Sequence, residues 1–88
     1  MKNKNAKPRT PVVLYTRAGC HLCDEAKQVL AKYQLRYGLE ISEVDIDPDP
    51  GLQASYGDCV PVVVIAGRER FRGRVNESLL LRLLRSLP

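Results

Sequence analysis

The chain has 88 residues, 44% of them hydrophobic and 27% charged, which describes one compact soluble domain and excludes a second. Its longest apolar run, Val60 to Ala66, falls far short of the roughly 20 residues a spanning helix needs, and the start of the chain carries charge without the apolar region of a secretory signal. The net charge of +4 is local: of the 14 basic residues Lys2, Lys4, Lys7 and Arg9 stand in the first ten positions beside no acidic residue, and the rest equal the 10 acidic residues in number. Residues 1–10 therefore read as a flexible basic tail and residues 11–88 as a neutral folded domain. No aromatic residues interleave with the tail's charges, so neither nucleic acid nor a membrane is expected as a partner, and the domain is expected to be a monomer.

Pro11 to Thr16 is a β-rich run with proline at its first position, which predicts a buried strand. Arg17-Ala18-Gly19 breaks it. From Cys20 the period changes, with Leu22, Ala26, Val29, Leu30, Tyr33 and Tyr37 on one helical face and Gly38 as the stop. Asp24 and Glu25 near the start, and Lys32 and Arg36 near the end, suit the helix dipole. Leu39 to Ile46 follows as a second strand, whose imperfect alternation between Ile41 and Val44 allows a bulge there. Asp47 to Gly51 is turn chemistry, leading into a short helix over Leu52–Tyr56 that Gly57 ends. Val60 to Ile65 is apolar throughout and reads as the central strand. Ala66-Gly67 turns it into a polar edge strand, Arg68 to Arg72. Asn76 is placed to cap a last helix that buries Leu79, Leu80, Leu83, Leu84 and Leu87. The order β-α-β-α-β-β-α predicts an α/β fold: a four-stranded mixed sheet flanked by helices, with the first two strands parallel and the last two a hairpin.

Three cysteines, Cys20, Cys23 and Cys59, are too few and of the wrong parity for a disulfide-stapled scaffold. In Cys20-His21-Leu22-Cys23 the first sulfur falls at a strand-to-helix junction, where backbone N–H groups and the positive end of the helix dipole favour a thiolate. Cys23 lies about one turn further on, within disulfide reach and more shielded. That arrangement makes Cys20 the nucleophile on a substrate disulfide and Cys23 the thiol that resolves the mixed disulfide. His21, the sole histidine, would lower the Cys20 pKa if its cationic ring reached the sulfur; the other reading is an exposed loop residue. Residue 24 is Asp, so a c-type haem site fails. A zinc site lacks a second ligand pair, and no metal site is expected.

Three segments, Leu14 to Asp24, Val44 to Pro50 and Tyr56 to Val62, resemble the glutaredoxin branch of the thioredoxin superfamily, in particular small glutaredoxin-like proteins with a Cys-x-x-Cys helix. The resemblance runs from about Val12 to Leu87. It implies a thioredoxin-like fold, a cis Val60–Pro61 bond, and a groove in which the Val60 backbone pairs with substrate and Pro61 gives the shape. Arg17 matches a basic residue that binds glutathione in similar proteins. Where those proteins carry Gly-Gly followed by acidic residues, this chain reads Arg72-Gly73-Arg74-Val75-Asn76-Glu77, with Asn76 standing for the usual Asp. The resemblance thus implies a cytoplasmic thiol–disulfide oxidoreductase of glutaredoxin type. It would need no cofactor beyond the redox-active Cys20–Cys23 disulfide, with glutathione as co-substrate and protein disulfides or glutathione mixed disulfides as partners.

Two other classes stay open: an iron–sulfur carrier that uses Cys20 with glutathione, and a redox-inert binding module on the same fold. Cys59, two residues before Pro61, reads either as a small buried residue or as an extra redox thiol. Arg68, Arg70, Arg72 and Arg74 alternate along the edge strand and would share a face, either protecting the edge or meeting an acidic partner.

Overall fold

The computed structural model describes residues 9–87, so most of the basic tail lies outside the described residues. Seven elements follow in the order β1 (Thr10–Thr16), α1 (His21–Tyr37), β2 (Leu39–Asp45), α2 (Pro50–Tyr56), β3 (Val62–Ile65), β4 (Arg68–Arg72) and α3 (Glu77–Arg85). The sheet has four strands in the order β2-β1-β3-β4. β1 runs parallel to β2, because a helix crosses between them, and antiparallel to β3. β3 and β4 form the hairpin.

The alternation along β1 places Val12 and Leu14 on one face, where Val63, Ile65 and Phe71 join them. Against that face pack Ala26, Leu30 and Tyr33 of α1 and Leu80 and Leu84 of α3. Leu14, Leu30 and Leu80 have no exposed surface, and each buried side chain of this size stabilises the fold by about 1.5–3 kcal/mol. On the opposite face α2 meets the sheet through Tyr56. Tyr56 stacks on Tyr15 with ring centroids 4.8 Å apart, and the Arg72 guanidinium lies 5.5 Å from the Tyr56 ring.

The element order and strand directions match the sequence expectation, but β1 starts at Thr10, inside the expected tail, α2 starts at Pro50 rather than Leu52, and further details differ. β2 pairs with β1 in unbroken register from Leu39 to Asp45, so there is no bulge between Ile41 and Val44. The irregularity lies instead in the hairpin, where Val63 faces Phe71 and Val64 faces Glu69, leaving Arg70 without a ladder partner. β3 begins at Val62 rather than Val60, following the cis Val60–Pro61 bond. In α3, Leu79 is 50% exposed and Leu81 packs against the core instead.

α1 and α3 are also joined by polar contacts. The Lys32 ammonium donates to Glu77 at 2.7 Å and the Tyr33 hydroxyl donates to the same carboxylate. The Lys32 hydrogen bond, and after it that of Tyr33, holds the Glu77 carboxyl below its ordinary range.

Candidate active site

The site is built at the exit of β1. Gly19 adopts a positive φ of 75° that an L side chain rarely takes, and the Cys20 N–H donates to the Arg17 carbonyl at 3.3 Å, closing the turn. Cys20 is then the N-cap of α1, in extended backbone conformation, and its sulfur accepts the Cys23 N–H at 3.1 Å. This is the place a Ser or Asp side chain takes at many helix starts, here occupied by sulfur. Cys20 and Cys23 are bonded to each other, with Cα atoms 5.2 Å apart. Cys20 is half-buried whereas Cys23, on the core-facing side of α1, is only 2% exposed. The outer cysteine of the pair is partly open to solvent and the inner one is not.

Arg17 is fixed by two contacts from the other side of the junction. Its Nε donates to Asp47 at 2.8 Å and its Nη1 to the Gly57 carbonyl at 3.2 Å. Parallel pairing of β1 with β2 brings both strand exits to the same end of the sheet, which is why residues 30 apart in the chain meet. The β2–α2 connection is itself ordered by Asp49, whose carboxylate caps α2 by accepting the N–H groups of Gly51 and Leu52. Gly57 ends α2 so tightly that a Cβ there would lie 2.6 Å from the Gln53 carbonyl oxygen. The sequence reading placed Asp47 in a turn and Gly57 at a helix end but not as partners of Arg17, although the shared end of two parallel strands could have pointed to Asp47.

The antiparallel register of β1 with β3 brings the entry of β3, with Val60 and the buried Pro61, to this same end. The Pro61 carbonyl accepts the Gly73 N–H at 2.8 Å, tying the β4–α3 connection to the proline. Among the described residues neither the N–H nor the C=O of Val60 has a hydrogen-bond partner. Asn76 caps α3 with its side chain, accepting the Leu79 N–H at 3.0 Å.

The remaining candidates lie at the margin. His21 points to solvent, with its side chain 90% exposed and its Nε2 3.9 Å from a Glu25 carboxylate oxygen. Cys59 is a half-buried free thiol whose N–H donates to the Tyr56 carbonyl. The Glu69 carboxylate, and after it the Cys59 sulfur, raise the Arg72 guanidinium above its usual range. Among the described residues no three His, Cys, Asp or Glu side chains converge as metal ligands. No helix of the described residues is long and apolar enough to cross a membrane.

Comparison with known proteins bears on this geometry. The glutaredoxin-like domain family (DUF836) matches residues 11–85. The chain belongs to this family. Within it, the glutaredoxin-like chain is 38% identical over 77 residues to the uncharacterized protein Rv0508 of Mycobacterium tuberculosis, covering 82% of this chain and 79% of the relative. It is also similar to the X-ray structure of protein XcR50 from X. campestris, with a TM-score of 0.71, 38% identity, and coverage of 88% of this chain and 99% of the other. Oxidised mitochondrial thioredoxin 3 from Saccharomyces cerevisiae superposes with a TM-score of 0.64 at 18% identity, covering 89% of this chain and 78% of that one. The fold of this glutaredoxin-like domain is therefore thioredoxin-like, with a Cys-x-x-Cys pair at the start of its first helix.

Proposed function

We propose that the chain is a cytoplasmic thiol–disulfide oxidoreductase of glutaredoxin type that works by a dithiol mechanism. The observation that carries this reading is the asymmetry of the pair: an approachable Cys20 sulfur receiving a backbone N–H at the helix start, bonded to a buried Cys23. In the reduced protein the Cys20 thiolate attacks one sulfur of a substrate disulfide. A bond forms between Cys20 and that sulfur, the substrate's S–S bond breaks, and the other sulfur leaves as a thiolate. Cys23 then loses its proton and attacks Cys20. The Cys20–Cys23 disulfide forms, the second substrate sulfur leaves as a thiol, and two electrons have passed to the substrate.

The Cys23 N–H that points at Cys20 stabilises negative charge on that sulfur before attack, and again when it is released as the thiolate in the last exchange with the reducing thiol. Val60, with its backbone N–H and C=O free, offers the main-chain groups on which an extended substrate would be held beside Pro61. Electrons return from a small thiol, in this proposal glutathione, in two successive exchanges that yield glutathione disulfide. Arg17 and the N-terminus of α3 at Asn76 are the groups offered to its carboxylates. Because Asp47 and Gly57 already hold two donors of Arg17, and the Asn76 side chain is committed to its cap, glutathione would be gripped less firmly than by a dedicated site. His21, exposed and facing Glu25, would add only a screened charge near Cys20. Cys59 takes no part in this cycle.

A redox titration against mixtures of reduced and oxidised glutathione tests the reading. The thiol count should change by two in a single two-electron transition, with Cys59 a thiol throughout. A count constant across physiological potentials would leave the chain a redox-inert module, and a third thiol lost in the same transition would bring Cys59 into the cycle.

A further inference from the structure

The edge formed by β4 and α3 has features that redox chemistry at Cys20 does not use. Arg70, Phe71, Leu79, Arg82, Leu83 and Ser86 line an open groove of about 470 Å³. Its origin is the bulge in the hairpin. Because Arg70 is the extra residue, it escapes strict alternation and stands on the side of Phe71, facing α3, while Arg72 turns to Tyr56 on the opposite face. The arginines of the edge strand therefore do not form one row. On α3 the residues Leu79, Arg82, Leu83 and Ser86 follow the i, i+3, i+4, i+7 spacing of a single face, next to the buried Leu80 and Leu84.

Phe71, Leu83 and the half-exposed Leu79 give the groove its apolar lining, and Arg70 and Arg82 bring two guanidinium groups to it. Arg17, Lys27, Lys32 and Arg72 each meet a carboxylate, whereas among the described residues Arg70 and Arg82 meet none. Apolar surface between two unpaired cations is complementary to an apolar side chain between two carboxylates. We propose that this groove docks an acidic segment of a partner protein, seating one large aliphatic or aromatic side chain on Leu79 and Leu83 and placing carboxylates on Arg70 and Arg82.

Other occupants fit less well. The chain's own first ten residues carry basic charge and no carboxylate, so they would be repelled. A second copy could present the acidic stretch from Glu40 to Asp49. Its Glu43 and Asp47 are already paired with Lys27 and Arg17, and among the described residues the exposed large apolar side chains, Leu35 and Leu79, lie outside it. Simple strand addition is opposed by the bulge and by the positive charges along β4. Docking here does not depend on the state of the sulfurs, so it stands or falls separately from the oxidoreductase reading.

The test uses the full chain and a fluorescein-labelled peptide of sequence Glu-Asp-Leu-Phe-Glu-Asp. The anisotropy should rise to saturation, fall back with added salt, and be absent for the same peptide with Ser-Ser at its centre. Amide shift changes in a ¹⁵N-labelled sample should centre on Arg70, Phe71, Leu79 and Leu83. Replacing Arg70→Glu and Arg82→Glu together should weaken binding by at least about tenfold, as like charges now face the peptide. Because both side chains are exposed, the melting temperature and the reduction of a small disulfide should be unchanged. Binding that survives the double reversal, shifts centred on the β2 edge or on Cys20, no binding of the peptide, or self-association in sedimentation that the reversal abolishes would each overturn the proposal.

Discussion

The β1–α1 junction and the edge formed by β4 and α3 make an instructive contrast. At the junction the protein's own groups satisfy nearly everything: the Cys20 sulfur receives an N–H, Arg17 is held by Asp47 and Gly57, and the Pro61 carbonyl takes the Gly73 N–H. The Val60 backbone N–H and C=O are left open there among the described residues. At the β4–α3 edge the reverse holds, with Arg70 and Arg82 unpaired among the described residues and Leu79 half exposed. A site that must place one sulfur atom needs a frame with little freedom. A surface that recognises a partner leaves its charges free until the partner arrives. The difference separates chemistry from recognition within 88 residues.

The contrast can be broken most severely at the sulfur. Cys20→Ser should abolish disulfide reduction, because the sulfur left at the helix start, Cys23, is buried, while peptide docking at the far edge should be unaffected; a coupled enzyme assay and the anisotropy titration read the two arms. Next in size is the frame. Gly57→Ala brings a Cβ against the Gln53 carbonyl oxygen, backbone against side chain, so the end of α2 must shift and carry the Arg17 contact with it. A loss of about 2 kcal/mol is expected, which for a domain of this size lowers the melting temperature by roughly 10 °C. Calorimetry would show it, and an unchanged melting temperature would mean that the α2 end is not part of a rigid frame.

The smallest effect concerns the tether between α1 and α3. Hydrogen bonds from Lys32 and then Tyr33 hold the Glu77 carboxyl below its ordinary value of 4.5. A carboxyl lowered in the folded state adds stability that is fully present above its unfolded pKa and is lost as pH falls through the folded one. Melting temperature should therefore decline as pH drops below about 4.5, and Glu77→Gln should flatten part of that decline. Since the Lys32 and Glu77 side chains are 57% and 39% exposed, solvent screens the pair and the slope should be shallow. An identical pH profile in the variant would remove Glu77 from the account.

Much of this was legible in the chain itself. The β-rich run from Pro11 to Thr16, the helical spacing of Ala26, Leu30 and Tyr33, and the Asn76 cap are local patterns, and each appears where it was expected. The Cys-x-x-Cys at a strand-to-helix junction was readable because strand exit, turn and helix start follow each other in sequence. What stayed hidden depends on contacts between distant residues. The Arg17–Asp47 pair exists only because two parallel strands end together, and neither residue's neighbours announce it. The bulge opposite Val63 and Val64 is a property of pairing, not of either strand alone, so the alternating arginines suggested one face where the structure has two. Leu79 has the spacing of a buried residue, but nothing in the described fold reaches far enough along α3 to cover it.

The central claim, that Cys20 attacks and Cys23 resolves, is tested most directly by mass spectrometry of Cys23→Ser after incubation with a protein disulfide or with glutathione disulfide. A stable adduct on Cys20 is predicted, released by added dithiol and absent from Cys20→Ser. An adduct that forms instead on Cys59, or equally well in Cys20→Ser, would contradict the account.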